Sequence, residues 1–233
     1  MKHFLGELAV IDIVALCWFL VCWGGYNWFS SHGRHGQRSL VGASHGYRLM
    51  WARQLLIRES RVADSSLIGN LMSSVSFYAN TTIYVIAGLM ALWSTLDQAI
   101  GLFSGLPFAR QSARALWEMR LVLLIFVFVF AYFKFTWALR EFNLLSIMIG
   151  GAPDAKAVLA SDHGYETYAH KMAAVNSMAG DEFNRGVRSY YFGLAALAWF
   201  IQPWLFIGAT TLVMVVLYRR DYASPLLKIL QPD

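Results

Sequence analysis

The residues best placed to do chemistry are charged or amide side chains set inside apolar runs or at their ends. Asp12 opens one apolar run and Lys134 interrupts another, while Arg58, Arg61, Asp64, Asn70, Arg140, Glu141, Asn143, Asn184 and Arg188 stand at or near the ends of others. A carboxylate or lysine in such a place can hold or pass a proton, and arginines with amides can grip a phosphate or carboxylate through charge-assisted hydrogen bonds. The remaining chemistry is narrowed by what is missing. The sequence has no GxSxG, P-loop, HExxH or CxxC pattern, so no nucleophile elbow, nucleotide cradle or metalloprotease site is indicated. His32 and His35 have no third ligand nearby and no histidine lies inside a long apolar run, so neither a metal nor a haem is expected, and no cofactor is. Cys17 and Cys22 sit five apart on one helix and point about 140° away from each other, so they cannot bridge.

These side chains need membrane helices to hold them. Leu121 to Phe133 is an unbroken apolar run of about 20 Å as a helix, and extending it to Leu139 gives about 28 Å, close to the ~30 Å hydrocarbon core. Arg120 and Arg140 then anchor the two interfaces. Lys134 falls roughly 8–9 Å inside one leaflet, where it either snorkels to the headgroups or is buried and paired. Composition agrees: 58% of residues are hydrophobic and only 14% charged, against ~25% charged in soluble domains. The expected fold is all-α, an integral membrane domain over 1–233 with four spans in an up-and-down bundle at about 8–29, 67–92, 117–139 and 190–218. The loops 30–66 and 143–189 are expected to carry amphipathic surface helices. The N-terminal run carries Glu7 and Asp12 and no small-residue cleavage site, so it reads as a retained first span.

Details follow from periodicity. Gly46 to Arg61 mixes Tyr47, Met50 and Trp51 with Arg48, Arg53, Arg58 and Arg61, the pattern of a helix lying on the membrane with its arginines towards phosphates. In the second span Asn70, Ser73, Ser74, Phe77, Thr81, Tyr84 and Gly88 fall within roughly 60° of one direction. That polar stripe should face protein, either as helix packing or as the lining of a solute path. Ala99 to Phe108 is too short to cross and reads as interfacial or partly re-entrant. Glu166 to Ala179 reads as a further surface helix with an apolar face of Ala169, Met172, Val175, Met178 and Ala179, and Pro203 as a kink inside the fourth span.

Alternation of four spans sorts the charges into two ends. Asp12, Glu118, Arg120, Arg219 and Arg220 are expected at one, which makes Arg120 or Arg219 the partner of Asp12. Arg58, Glu59, Arg61, Asp64, Lys134, Arg140, Glu141, Arg185 and Arg188 are expected at the other, where with Asn70, Asn143 and Asn184 they could bind an anionic ligand or headgroup. That end is the richer in Lys and Arg and is expected to be cytoplasmic, with both termini outside. Anionic lipid headgroups are the expected partners, with a membrane-protein partner or homo-oligomer as a further expectation; no basic groove with interleaved aromatics points to nucleic acid.

Several stretches carry a resemblance: Asp12 through Trp23-Gly-Gly-Tyr26, Arg58-Glu59-Ser-Arg61 with Asp64, SVSFYANTT from Ser74 to Thr82, Phe133 to Trp137, Arg140 with Asn143, and Phe183 to Phe192. Through them the chain resembles, over nearly its whole length, the membrane-protein family known as domain of unknown function 599. The resemblance implies a bacterial inner-membrane protein with about four spans and brings no catalytic residue. Three function classes are expected in order: a non-catalytic subunit, assembly factor or lipid-binding bundle; a small transporter or channel for an anionic or polar solute; and a headgroup enzyme using Asp64, Glu59 or Glu141.

Overall fold

The structure, a computed structural model, describes residues 10–31, 40–104, 113–160 and 164–230. In chain order these form α1 (Val10–Ser31), α2 (Leu40–Ile57), α3 (Val62–Ser94), α4 (Leu96–Ser104), α5 (Arg114–Gly150), α6 (Ala155–Leu159), α7 (Gly164–Leu197), α8 (Pro203–Tyr222) and α9 (Pro225–Leu230). The described residues contain no strand. Three segments, Val10–Ser30, Val62–Ser94 and Arg114–Gly150, are long and apolar enough to cross a membrane. His32 and His35 lie outside the described residues.

Helix α5 is the spine. Its 37 residues make about 55 Å, well beyond the ~30 Å core, so it overhangs the membrane and offers a second packing surface. Helix α7 and the turn after it run antiparallel along it: Trp117 meets Phe200 at 5.2 Å, Phe128 meets Tyr190 at 5.2 Å, and the Tyr168 hydroxyl donates to the Met148 carbonyl at 2.7 Å. Glycine permits this approach. A Cβ on Gly186 would stand 2.4 Å from the Phe135 ring, and one on Gly193 3.0 Å from the Phe128 ring, so both positions let a helix backbone lie directly on an aromatic face. Tyr78, Phe135, Phe183 and Tyr190 close round this crossing with centroids 5.4–5.9 Å apart. The sequence stretches SVSFYANTT, FKFTW and FNRGVRSYYF therefore meet at one junction of α3, α5 and α7. One core, with Phe19, Trp23, Leu121, Phe192 and Phe206, lies to one side of it, and another, with Leu55, Ile68, Phe142 and Met172, to the other.

The region expected as a fourth span, 190–218, does not run straight through. Helix α7 ends at Leu197, a single 3-10 turn covers Ala198–Phe200, and Gln202 is extended at φ −153° and ψ 144°. Pro203 then opens α8 at its first turn, where its fixed φ suits a helix start and its missing N–H costs nothing. Phe206 comes back to stack on Trp199 at 4.9 Å, and Phe192 and Phe206 both reach Phe19. The chain has reversed. Helix α8 runs parallel to α1, with Trp18 bonded to Thr211 and Tyr26 to Asp221. Arg219 and Arg220 thus lie at the opposite end from Asp12, a correction to the expected sorting of charges.

Three other expectations change. The surface helix at Glu166 to Ala179 and the start of the last span are one continuous α7; Ala169, Met172 and Ala179 are buried but Met178 is 55% exposed. The arginines of the second segment face protein instead of phosphates: Arg53 pairs with Glu166 at 3.0 Å, Arg58 with Asp64 at 2.6 Å, and Arg61 donates to the Ala152 carbonyl at 2.8 Å. The polar stripe of α3 does not face the other described residues. Asn70, Ser73, Ser74, Phe77, Tyr84 and Gly88 are exposed, while Ile68, Val75 and Ala79 are buried against α5 and its neighbours.

Gly186→Val should destabilise the fold by about 1–3 kcal/mol, because the ring it would strike is itself packed on three sides. Gly208→Val, with nothing within 4 Å of its Cβ, should be neutral. Thermal unfolding in detergent, followed by tryptophan fluorescence, distinguishes them; equal midpoints would refute the close crossing.

Candidate functional site

The stretch FNRGVRSYYF places Asn184, Arg188 and Tyr191 along one face of α7, at steps of four and three, while Glu182, Gly186 and Tyr190 face α5. Arg188 is the fixed point of the outer face. Its Nη2 donates to Asp221 of α8 at 2.8 Å and its Nη1 to the Ser30 hydroxyl of α1 at 2.5 Å, and its guanidinium lies 5.3 Å above the Tyr26 ring. The Tyr26 hydroxyl completes the cluster by donating to the same Asp221 oxygen at 2.7 Å. Two donors from different helices on one nearly buried carboxylate hold α1, α7 and α8 in register.

Beside this clasp opens a cavity of about 360 Å³, lined by Ser44 and Arg48 of α2, Asn184, Arg188 and Tyr191 of α7, and Arg220 of α8, among others. Arg220 donates to the Tyr191 hydroxyl at 2.8 Å. Arg48 lies against Gly180, where any Cβ would come within 2.5 Å of its Nη2. Its Nη1 is buried and makes no hydrogen bond among the described residues. Burial pushes the Arg48 guanidinium below its ordinary pKa, and Asp181 opposes that shift; an anion in the cavity would oppose it further. Three guanidiniums therefore border the cavity. Among the described residues the single carboxylate on its wall, Asp221, is already held by Arg188 and Tyr26.

The residues expected to form one constellation are distributed over several places. Lys134 is paired, with its Nζ 2.8 Å from Glu182 and 5.4 Å from the Phe130 centroid, and Glu182 also accepts from Arg185 at 2.8 Å. Asp64 is fully buried, accepting from Trp51 at 2.7 Å and from Arg58, which fastens α2 to the start of α3. Arg61 caps the end of the α5 region by bonding the Ala152 and Pro153 carbonyls. Arg140 is exposed with its guanidinium over Trp137 at 5.2 Å, Asn70 and Asn143 are exposed, and Glu141 is half-buried beside α7. Only Asn184 and Arg188 of the expected set line the cavity.

Asp12 and Arg120 come together at the other end, 3.6 Å apart and each about 1% exposed in its side chain. Trp199 donates to Asp12 at 2.9 Å, and Arg120 lies within 6.0 Å of the rings of Trp117, Trp199 and Phe200. Arg120 is thus no interfacial anchor. Sequence reasoning missed Ser44, Arg48, Tyr191, Arg220 and Asp221 as site residues, the last two because α8 could only be brought beside α7 by the reversal. It also missed Glu182, whose signal was its place one turn before Gly186, as Lys134 stands next to Phe135.

A family model described as protein of unknown function, DUF599, matches residues 14–226. No curated protein and no solved structure matches the chain. The match takes in every cavity residue named above and leaves Asp12 just outside it.

Asp221→Asn removes the carboxylate that pairs with Arg188 in a site 8% and 16% exposed, and should cost about 3–5 kcal/mol. Asp97→Asn breaks a pair exposed at 54% and 74%, which solvent screens, and should cost far less. Thermal midpoints of the two variants in the same detergent check the ranking; a smaller loss for Asp221→Asn would refute the clasp.

Proposed function

The chain belongs to the DUF599 family, and we infer that within it this protein is a non-catalytic integral membrane bundle that binds an anionic lipid headgroup in the cavity between α2, α7 and α8. The observation carrying this is the Arg48, Arg188 and Arg220 wall, whose one carboxylate among the described residues is internally neutralised. A phosphate suits such a wall, because planar guanidiniums donate to its oxygens in pairs.

In this reading the second half of α7 and the returning α8 cross beside α1, α3 and α5. The apolar part of α8, Pro203 to Tyr218, is about 24 Å long and ends at Arg219 and Arg220, as a span ending at headgroups would. Every described Lys and Arg except Arg114 and Arg120 falls in the cavity's half of the molecule, once α8 is known to return there. The positive-inside rule then assigns that half to the cytoplasmic face of a bacterial inner membrane, with the C-terminal α9 on the same side. The anionic leaflet surface would lie at the level of the cavity.

Native mass spectrometry on the full chain, released gently from its own membrane, tests the reading. The wild-type protein should retain an anionic phospholipid, and Arg48→Gln with Arg220→Gln should retain at least about tenfold less, since hydrogen bonds to charged groups contribute about 1.5–3 kcal/mol each. Equal retention by both proteins, or a stoichiometric protein partner in place of lipid, would overturn it.

A further inference from the structure

Helix α3 turns outward the face that lipid suits least. Asn70, Ser73, Phe77, Asn80, Tyr84 and Ala87 are all exposed and recur at alternating steps of three and four, the a/d spacing of a helix–helix seam. No Leu, Ile, Val or Met of α3 falls on that line. Only 22% of the apolar window of α3 is buried within the chain, against 33% for the first span and 44% for α5. Counting about 20 residues of hydrocarbon back from Ser94 reaches about Val75, so Phe77, Asn80, Tyr84 and Ala87 stand at lipid depth. The Asn80 carboxamide there is exposed, and no described residue gives it a hydrogen bond. Hydrocarbon offers it none.

We propose that this seam is the interface with a second copy of the chain, the two α3 helices packing against each other about a two-fold axis along the membrane normal. The chemistry of the seam selects that occupant. A carboxamide is both donor and acceptor, so Asn80 can bond its own symmetry mate, and the Ser73 hydroxyl can do the same. No charged residue lies on the line, so two copies meet without like-charge repulsion, whereas an acidic or basic partner helix would find no counter-charge. Ala87 admits close approach, and Phe77 and Tyr84 pack round the two-fold axis.

The test is cysteine cross-linking of the full chain in native membranes, on a Cys17→Ser, Cys22→Ala background. Tyr84→Cys and Ala87→Cys should give, on mild oxidation, a species of twice the chain mass. Phe126→Cys, 56% exposed on α5 but off the seam, should not. Adding Asn80→Leu should lower the Tyr84→Cys yield by roughly threefold or more, the effect of one interhelical hydrogen bond in a membrane, while Asn80→Gln should largely keep it. Cross-linking of Tyr84→Cys no better than that of Phe126→Cys, or an adduct of any other mass, would overturn the proposal. An unchanged yield with Asn80→Leu would overturn the hydrogen-bonded seam.

Discussion

The contact of the Gly186 backbone with the face of Phe135 sets the geometry of everything around it. Two helices that approach this closely can hardly slide or rotate, so the residues one turn either side of Gly186 have their partners fixed. One turn back, Glu182 meets Lys134 at 2.8 Å; one turn on, Tyr190 lies between Phe128 and Phe135 and shares a hydrogen bond with Thr82 at 2.7 Å. The opposite face of the same helix is fixed as a result. Arg188 can point only away from α5, towards α1 and α8, and there it organises the clasp and the cavity. A single small residue thereby couples the packing of α3, α5 and α7 to the site on the far side of α7.

Charge burial separates the two ionic clusters by what each can do. Asp12 and Arg120 are enclosed by Trp117, Trp199 and Phe200, and a ligand would have to displace aromatic rings to reach them. Such a pair stabilises little against an apolar alternative, but losing one partner is costly, which suits a lock between α1, α5 and the turn after α7. The Arg188 clasp is built the same way yet opens on one side. Because Asp221 already neutralises Arg188, an anion entering the cavity would engage Arg48 and Arg220 and need not break the Arg188–Asp221 pair to bind.

How far these features could be read in the sequence depended on how local their causes are. The helical membrane character follows from long apolar runs, and the meeting of Asp12 with Arg120 from alternation of the first three spans. The reversal at Ala198–Gln202 could not be read in the same way. A proline within an apolar run and one opening a second helix have the same flanks; here Gln202 in an extended conformation, beside an aromatic turn able to stack Trp199 on Phe206, decided between them. With that one turn misjudged, Arg219 and Arg220 went to the wrong end, and the site lost Arg220 and its neighbour Asp221. The arginines between Arg48 and Arg61 were misread for another reason: the partners of Arg53, Arg58 and Arg61, namely Glu166, Asp64 and the Ala152 carbonyl, lie outside that segment, so periodicity within it was silent about them.

The polar stripe of α3 was legible as a surface that should meet protein, and the fold adds that the described residues do not supply that protein. The cavity draws its walls from α2, α7, α8 and α9 and none from α3, and α5 and α7 stand between the two regions. A partner on α3 therefore leaves the cavity mouth uncovered. Two copies joined through α3 would carry their basic pockets on the outer flanks, facing the surrounding bilayer, which is where a site for lipid headgroups would need to be. Had the seam and the cavity shared a helix face, association would have closed the site, and one of the two readings would have excluded the other.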